Sequence, residues 1–276
     1  MQRWMIGLLR VCPLWLSYGL MALAIPWYVL LDGRGRRASY RFFRERLGWG
    51  PVKSFCHVFV NMFRMGQVVV DRFCAYGGKR FRFIPPEEDF YDALSYGEEG
   101  FVVLGSHVGN YEMVGYTFPT RKPMKVLVYA GETATVMANR RRMLGNANIE
   151  VVPVLPDLSH LFILNAALAE GEVASMTADR AFGSGKTLCH PFLGKDAAFP
   201  AGPFQLAAGR GLPVLAAFVM KEKYDTYHIF QFRLDYNPEA SLRQRMEELS
   251  GRYAALLEKM VRRYPDQWFN FYDFWA

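Results

Sequence analysis

Two residues could do chemistry together, His107 and Glu112, with four residues between them in His107-Val108-Gly109-Asn110-Tyr111-Glu112. An imidazole with one nitrogen held by a carboxylate has a fixed tautomer and raised basicity. Its other nitrogen can take a proton from an attacking hydroxyl or amine. On a continuous helix, residues five apart differ by about 140° and share no face. The pair therefore works only if the chain turns between them, and Gly109 permits that turn. Against this stands the plainer reading of a loop histidine beside a solvated helix residue.

The surrounding elements suit the chemical reading. Phe101-Val102-Val103-Leu104 is a short apolar run closed by Gly105-Ser106, which reads as a buried strand. Asn110 is a plausible N-cap for a helix that follows. His107 is then expected at a strand-to-helix turn, where open α/β sheets place their active groups.

A second constellation follows another strand. Glu172 to Thr177 reads as extended, and Ala178-Asp179-Arg180-Ala181-Phe182-Gly183-Ser184-Gly185-Lys186 comes directly after it. Arg180 and Lys186 flank a Gly-rich turn, a combination suited to an anion. The phosphate-loop pattern G-x-x-x-x-G-K-S/T is absent, and a solvated hairpin is the alternative. Arg140 to Arg142, on an expected helix 133–144, offer a second anion site or a solvated face.

The 276 residues suffice for one large α/β domain or two small ones. Strand and helix signals alternate. Strands are expected at 81–84, 125–129, 150–155, 172–177, 213–220 and 227–234. Helices are expected at 38–47, 54–76, 87–94, from Asp157 to 169, at 203–208 and at 239–264. The alternation predicts a mixed, largely parallel central sheet flanked by helices. The expected division is a membrane-associating apolar helix and basic segment over 1–50, then a single α/β domain over 51–276.

Composition points to contact with lipid or a large apolar ligand. Apolar residues make up 51% of the chain and aromatics 16%, rich for a soluble protein. The net charge is +7, and residues 1–50 carry eight arginines against Asp32 and Glu45. Beside an apolar segment, such a block favours an anionic membrane over nucleic acid, for which no motif is present. Val11 to Leu31 is free of charge and long enough to cross about 30 Å of hydrocarbon, or to lie in the interface or pack on the domain. The arginines after Asp32 would hold that end on the cytoplasmic side. No small-x-small cleavage site follows it. The four cysteines are scattered, which fits a reducing compartment without disulfides or a zinc site.

Taken in order, these features resemble the lysophospholipid acyltransferase superfamily, and within it the bacterial lipid A biosynthesis (lauroyl/myristoyl) acyltransferases. The matching pieces are the N-terminal apolar helix, His-x4-Glu at 107–112 and ADRAFGSG at 178–185. PFLG and FPAGP within 191–203, LPV at 212–214 and PDQW at 265–268 complete the series.

The resemblance implies a membrane-associated enzyme on the cytoplasmic face of the bacterial inner membrane. It would move a fatty acyl chain from an acyl-carrier-protein thioester, or from acyl-CoA, to a hydroxyl or amine of a lipid acceptor. It implies His107 as general base and Glu112 as the residue that orients it. Asn110, Asp179, Arg180, Gly183, Lys186 and Arg140 would lie on the substrate side, with no cofactor and no metal. A thioesterase or lipase, or a non-catalytic membrane lipid-binding protein, are the competing readings. The chain departs from the general glycerolipid pattern in having Ala-Asp-Arg-Ala where a Pro-Glu-Gly-Thr type motif is expected. It departs from the lipid A pattern in running from PDQW into FNFYDFW. Both departures bear on the acceptor.

Overall fold

A computed structural model describes residues 9, 11–113, 121–129, 148–155, 159–181 and 185–275. Nine strands and seven α-helices are described. The strands are β1 Arg82–Ile84, β2 Phe101–Gly105, β3 Met124–Tyr129, β4 Ile149–Val154, β5 Val173–Thr177, β6 Thr187–Phe192, β7 Lys195–Pro200, β8 Val214–Lys221 and β9 Thr226–Arg233. The helices are α1 Leu14–Leu31, α2 Gly33–Arg41, α3 Pro51–Tyr76, α4 Phe90–Ser95, α5 Ser159–Ala169, α6 Ala201–Arg210 and α7 Leu242–Arg263.

Seven strands form one sheet in the order β1-β9-β8-β2-β5-β3-β4. Every pairing in it is parallel except β8 with β9. Parallel strands buried on both faces need apolar residues on both, which is why β2 and β8 read as unbroken apolar runs. Their side chains alternate between two cores. Val102, Leu104, Ala216 and Phe218 pack on one side with α5, α6 and α7. Phe101, Val103, Leu215 and Ala217 pack on the other with Tyr91 of α4. This is the largely parallel mixed α/β sheet expected from the alternation.

The hairpin β6–β7 lies outside that sheet and was not legible as strands, because Pro191 and Pro200 interrupt the pattern. Its two-residue turn, Leu193-Gly194, has positive φ at both positions (52° and 80°), as tight hairpins require. Leucine is unfavourable there, and Glu258 Oε2 accepts a 2.6 Å hydrogen bond from the Leu193 amide to hold it. Two expected starts move: the helix of 87–94 begins at Phe90 behind the Asp89 cap, and the C-terminal helix begins at Leu242 behind a Ser241–Gln244 capping box. The expected 38–47 helix begins earlier, at Gly33, and closes in a π turn over Phe42–Arg46. The expected helix 133–144 and the cap Asp157 lie outside the described residues.

The apolar helix α1 lies along α3. Leu14, Ser17, Tyr18 and Val29 are buried, and Gly66 of α3 permits close approach, since a Cβ there would sit 2.2 Å from Met21 Sδ. The opposite face is bare: Leu23 is 72% exposed, Trp27 69% and Leu31 85%.

Candidate active site

The parallel pairing of β2 with β5 brings the two constellations together. Gly105 is the register partner of Thr177, and two residues further along each strand end lie His107 and Asp179. His107 Nδ1 is 2.8 Å from Asp179 Oδ1, and the His107 backbone amide donates to Oδ2 at 2.9 Å. Asp179 is fully buried. Burial alone would raise its pKa, but His107 and the Arg180 charge outweigh it and hold the carboxyl below the usual range. An ionised carboxylate only accepts, so the bond assigns a proton to Nδ1, and Nε2 is the nitrogen left to exchange a proton with a substrate. Nε2 has no hydrogen-bond partner among the described residues, and the side chain keeps 18% of its surface exposed.

The carboxylate at Nδ1 is thus that of Asp179 and not that of Glu112. The Glu112 side chain turns away to α3, where Arg72 Nη1 and, at 3.1 Å, the Tyr76 hydroxyl donate to it. The cause is local: after Gly109 the chain makes the short 3₁₀ turn Tyr111–Met113, which aims Glu112 at α3. Asp179, expected on the substrate side, is placed by the structure as a buried partner of His107.

The loop from Ser106 to Asn110 is held on all sides. Gly109 has φ +72°, and a Cβ there would lie 2.4 Å from the Val219 carbonyl oxygen. The Gly109 amide donates to Gln267 O at 2.8 Å, and the Asn110 amide donates to Val219 O at 2.7 Å. Val108 bridges Trp268, and the Phe269 amide donates to His107 O at 3.1 Å. The Pro265-to-Trp268 stretch therefore braces the histidine loop, a role that its sequence alone did not disclose. Asn110 is buried, and its Nδ2 donates to the Tyr227 hydroxyl at 3.2 Å.

Behind Asn110 sits a buried charged network. Asp71 accepts from the Tyr227 and Tyr18 hydroxyls and, at 2.6 Å, from Lys221 Nζ. Burial pushes the Lys221 ammonium down and the Asp71 carboxyl up, against their mutual attraction. The network ties α1, α3, β8, β9 and the histidine loop to one another.

Arg180 is near the dyad but engaged: Nε donates to Asn270 Oδ1 at 2.9 Å and Nη2 to Phe269 O at 2.7 Å. Its charge thus braces the same C-terminal stretch. Lys186 immediately precedes β6. Gly183 and Arg140 lie outside the described residues. Among the described residues, no three His, Cys, Asp or Glu side chains come together in a way that could hold a metal ion.

A family model described as bacterial lipid A biosynthesis acyltransferase matches residues 78–276. No curated protein matches the chain significantly.

Proposed function

From a chain that belongs to the bacterial lipid A biosynthesis acyltransferase family, we propose a membrane-seated enzyme that transfers a fatty acyl chain from a thioester to a hydroxyl or amine of a lipid acceptor. The observation that carries the reading is the His107–Asp179 bond at paired strand ends, with Nε2 left as a base. In this account Nε2 takes the proton of the acceptor O–H or N–H as that oxygen or nitrogen attacks the thioester carbonyl. The tetrahedral intermediate expels the thiolate, and the imidazolium returns its proton to the sulfur. Asp179 keeps the imidazole in the right tautomer and stabilises the imidazolium, a positioning role through His107. Glu112 contributes through Arg72 and Tyr76 of α3, by fixing the far side of the histidine loop. Gly183, Lys186 and Arg140 belong in this proposal on the anionic side of the substrates.

The donor in this reading is acyl-carrier protein or acyl-CoA, and the location is the cytoplasmic face of the inner membrane. The support for membrane seating is the bare apolar face of α1, which would bury several large side chains in lipid at about 25 cal/mol per Å² of apolar surface. Its buried contacts with α3 favour an orientation along the interface over an isolated span.

The test is incubation of the full chain with labelled acyl-carrier-protein or CoA thioesters and a total lipid extract, with products resolved by mass. A new acylated lipid supports transfer. Free fatty acid alone, with no acylated lipid, contradicts it in favour of hydrolysis.

A further inference from the structure

A second polar–apolar feature lies away from the dyad. Arg36, Arg37 and Tyr40 of α2 face Pro51, Val52 and Phe55 at the start of α3 across an open cleft of about 510 Å³. Its walls combine two guanidinium groups with an apolar floor. Arg37 is exposed and pairs with no carboxylate among the described residues. Phe55 is 49% exposed and Val52 77%. No side chain caps the first turn of α3, so the positive end of a 26-residue helix opens at the same place.

The cleft adjoins the end of α1. Arg36 Nη1 donates to the carbonyls of Val29 and Leu30 at 3.0 and 3.2 Å, which fastens one wall of the cleft to the end of that helix. Leu30 and Leu31 are exposed beside it. An occupant must therefore carry a negative charge at the arginines and an apolar body over Tyr40, Val52 and Phe55, and it must reach the cleft along an apolar surface. A free phosphate satisfies the first condition only.

We propose that this cleft holds the phosphodiester headgroup of an anionic phospholipid of the leaflet, and so orients α1 in the membrane. The proposal rests on the reading of α1 as membrane-seated. Arg37 and the uncapped α3 turn take the phosphate, while Val52 and Phe55 lie against the glycerol and the upper acyl chains.

The test is vesicle flotation of the full chain on phosphatidylcholine vesicles with and without phosphatidylglycerol, comparing wild type with Arg37→Gln/Phe55→Ser. Both positions are exposed and neither side chain hydrogen-bonds to His107 or Asp179, and a melting curve reports that the variant is folded. The wild type is expected to prefer the anionic vesicles. The variant is expected to lose about five- to tenfold of that preference, the share of one arginine at a charged surface, while keeping its binding to phosphatidylcholine. An unchanged preference in the variant overturns the site. Abolition of the preference by inorganic phosphate at matched ionic strength also overturns it, in favour of a free-anion site. If the wild type floats with no vesicle, membrane seating fails, and titration with a water-soluble short-chain phosphatidylglycerol then decides the cleft alone. Binding lost in the variant upholds the cleft, and no binding by the wild type overturns it.

Discussion

His107 Nδ1 and Asp179 Oδ1 meet at 2.8 Å although they are 72 residues apart in the chain, because β2 and β5 are parallel neighbours in register. The carboxylate expected to do this work, Glu112, is instead committed to Arg72 and Tyr76. The two carboxylates are therefore separable by mutation. Asp179→Asn should lower kcat by on the order of 10³–10⁴, since an amide at that place can present its N–H to Nδ1 and favour the wrong tautomer. Glu112→Gln should lower kcat far less. Its main effect should be on thermal stability, through the lost ion pair with Arg72. Steady-state kinetics and melting curves of the two variants, compared with wild type, check the assignment.

The depressed pKa of Asp179 has a consequence for acid stability. A carboxyl whose folded pKa lies below its unfolded value of about 3.9 stabilises the fold fully above that value. The contribution is lost as pH falls through the lower, folded pKa. The urea midpoint of wild type should therefore fall more steeply than that of Asp179→Asn between about pH 5 and pH 2.5. Parallel curves would mean that the carboxyl is not held ionised in the fold.

Lys221 and Asp71 form a buried pair, with side chains 1% and 0% exposed. Removing one partner leaves an uncompensated buried charge, so Lys221→Met should cost about 3–5 kcal/mol. Asp71→Asn/Lys221→Met removes both charges and should recover part of that loss. Denaturant unfolding of the three proteins gives the comparison.

Gly109 turns the chain between the dyad histidine and Asn110. Alanine there meets both a left-handed backbone and the Val219 carbonyl oxygen at 2.4 Å. The backbone strain alone is of order 1–3 kcal/mol. Gly109→Ala should therefore displace the loop, and transfer should fall by at least tenfold even where circular dichroism still reports a folded protein.

The sheet was legible because parallel strands buried on both faces are spelled by continuous apolar runs, as in Phe101 to Leu104 and Val214 to Met220. The position of His107 just beyond a strand end was legible from its place after such a run. Its partner was not, because spacing along the chain reports only local neighbours, whereas β2 and β5 become neighbours through the sheet order. The signal lay in the pattern itself: Asp179 stands two residues beyond the end of β5, as His107 stands two beyond the end of β2. Gln267 and Asn270 were hidden for the same reason, since their partners at Lys221 and Arg180 are far away in sequence. The β6–β7 hairpin escaped because its prolines weaken any strand pattern, although Leu193-Gly194 was readable as a turn.

The central claim is that His107 is the base in acyl transfer. The direct measurement is single-turnover transfer from a labelled acyl thioester to a lipid acceptor by wild type and His107→Ala, with melting curves and vesicle flotation confirming that both are folded and equally bound. The account predicts loss of at least about 10²–10⁴-fold in rate, the usual share of a general base, with folding and membrane binding unchanged. A His107→Ala protein that transfers acyl chains at the wild-type rate would contradict it.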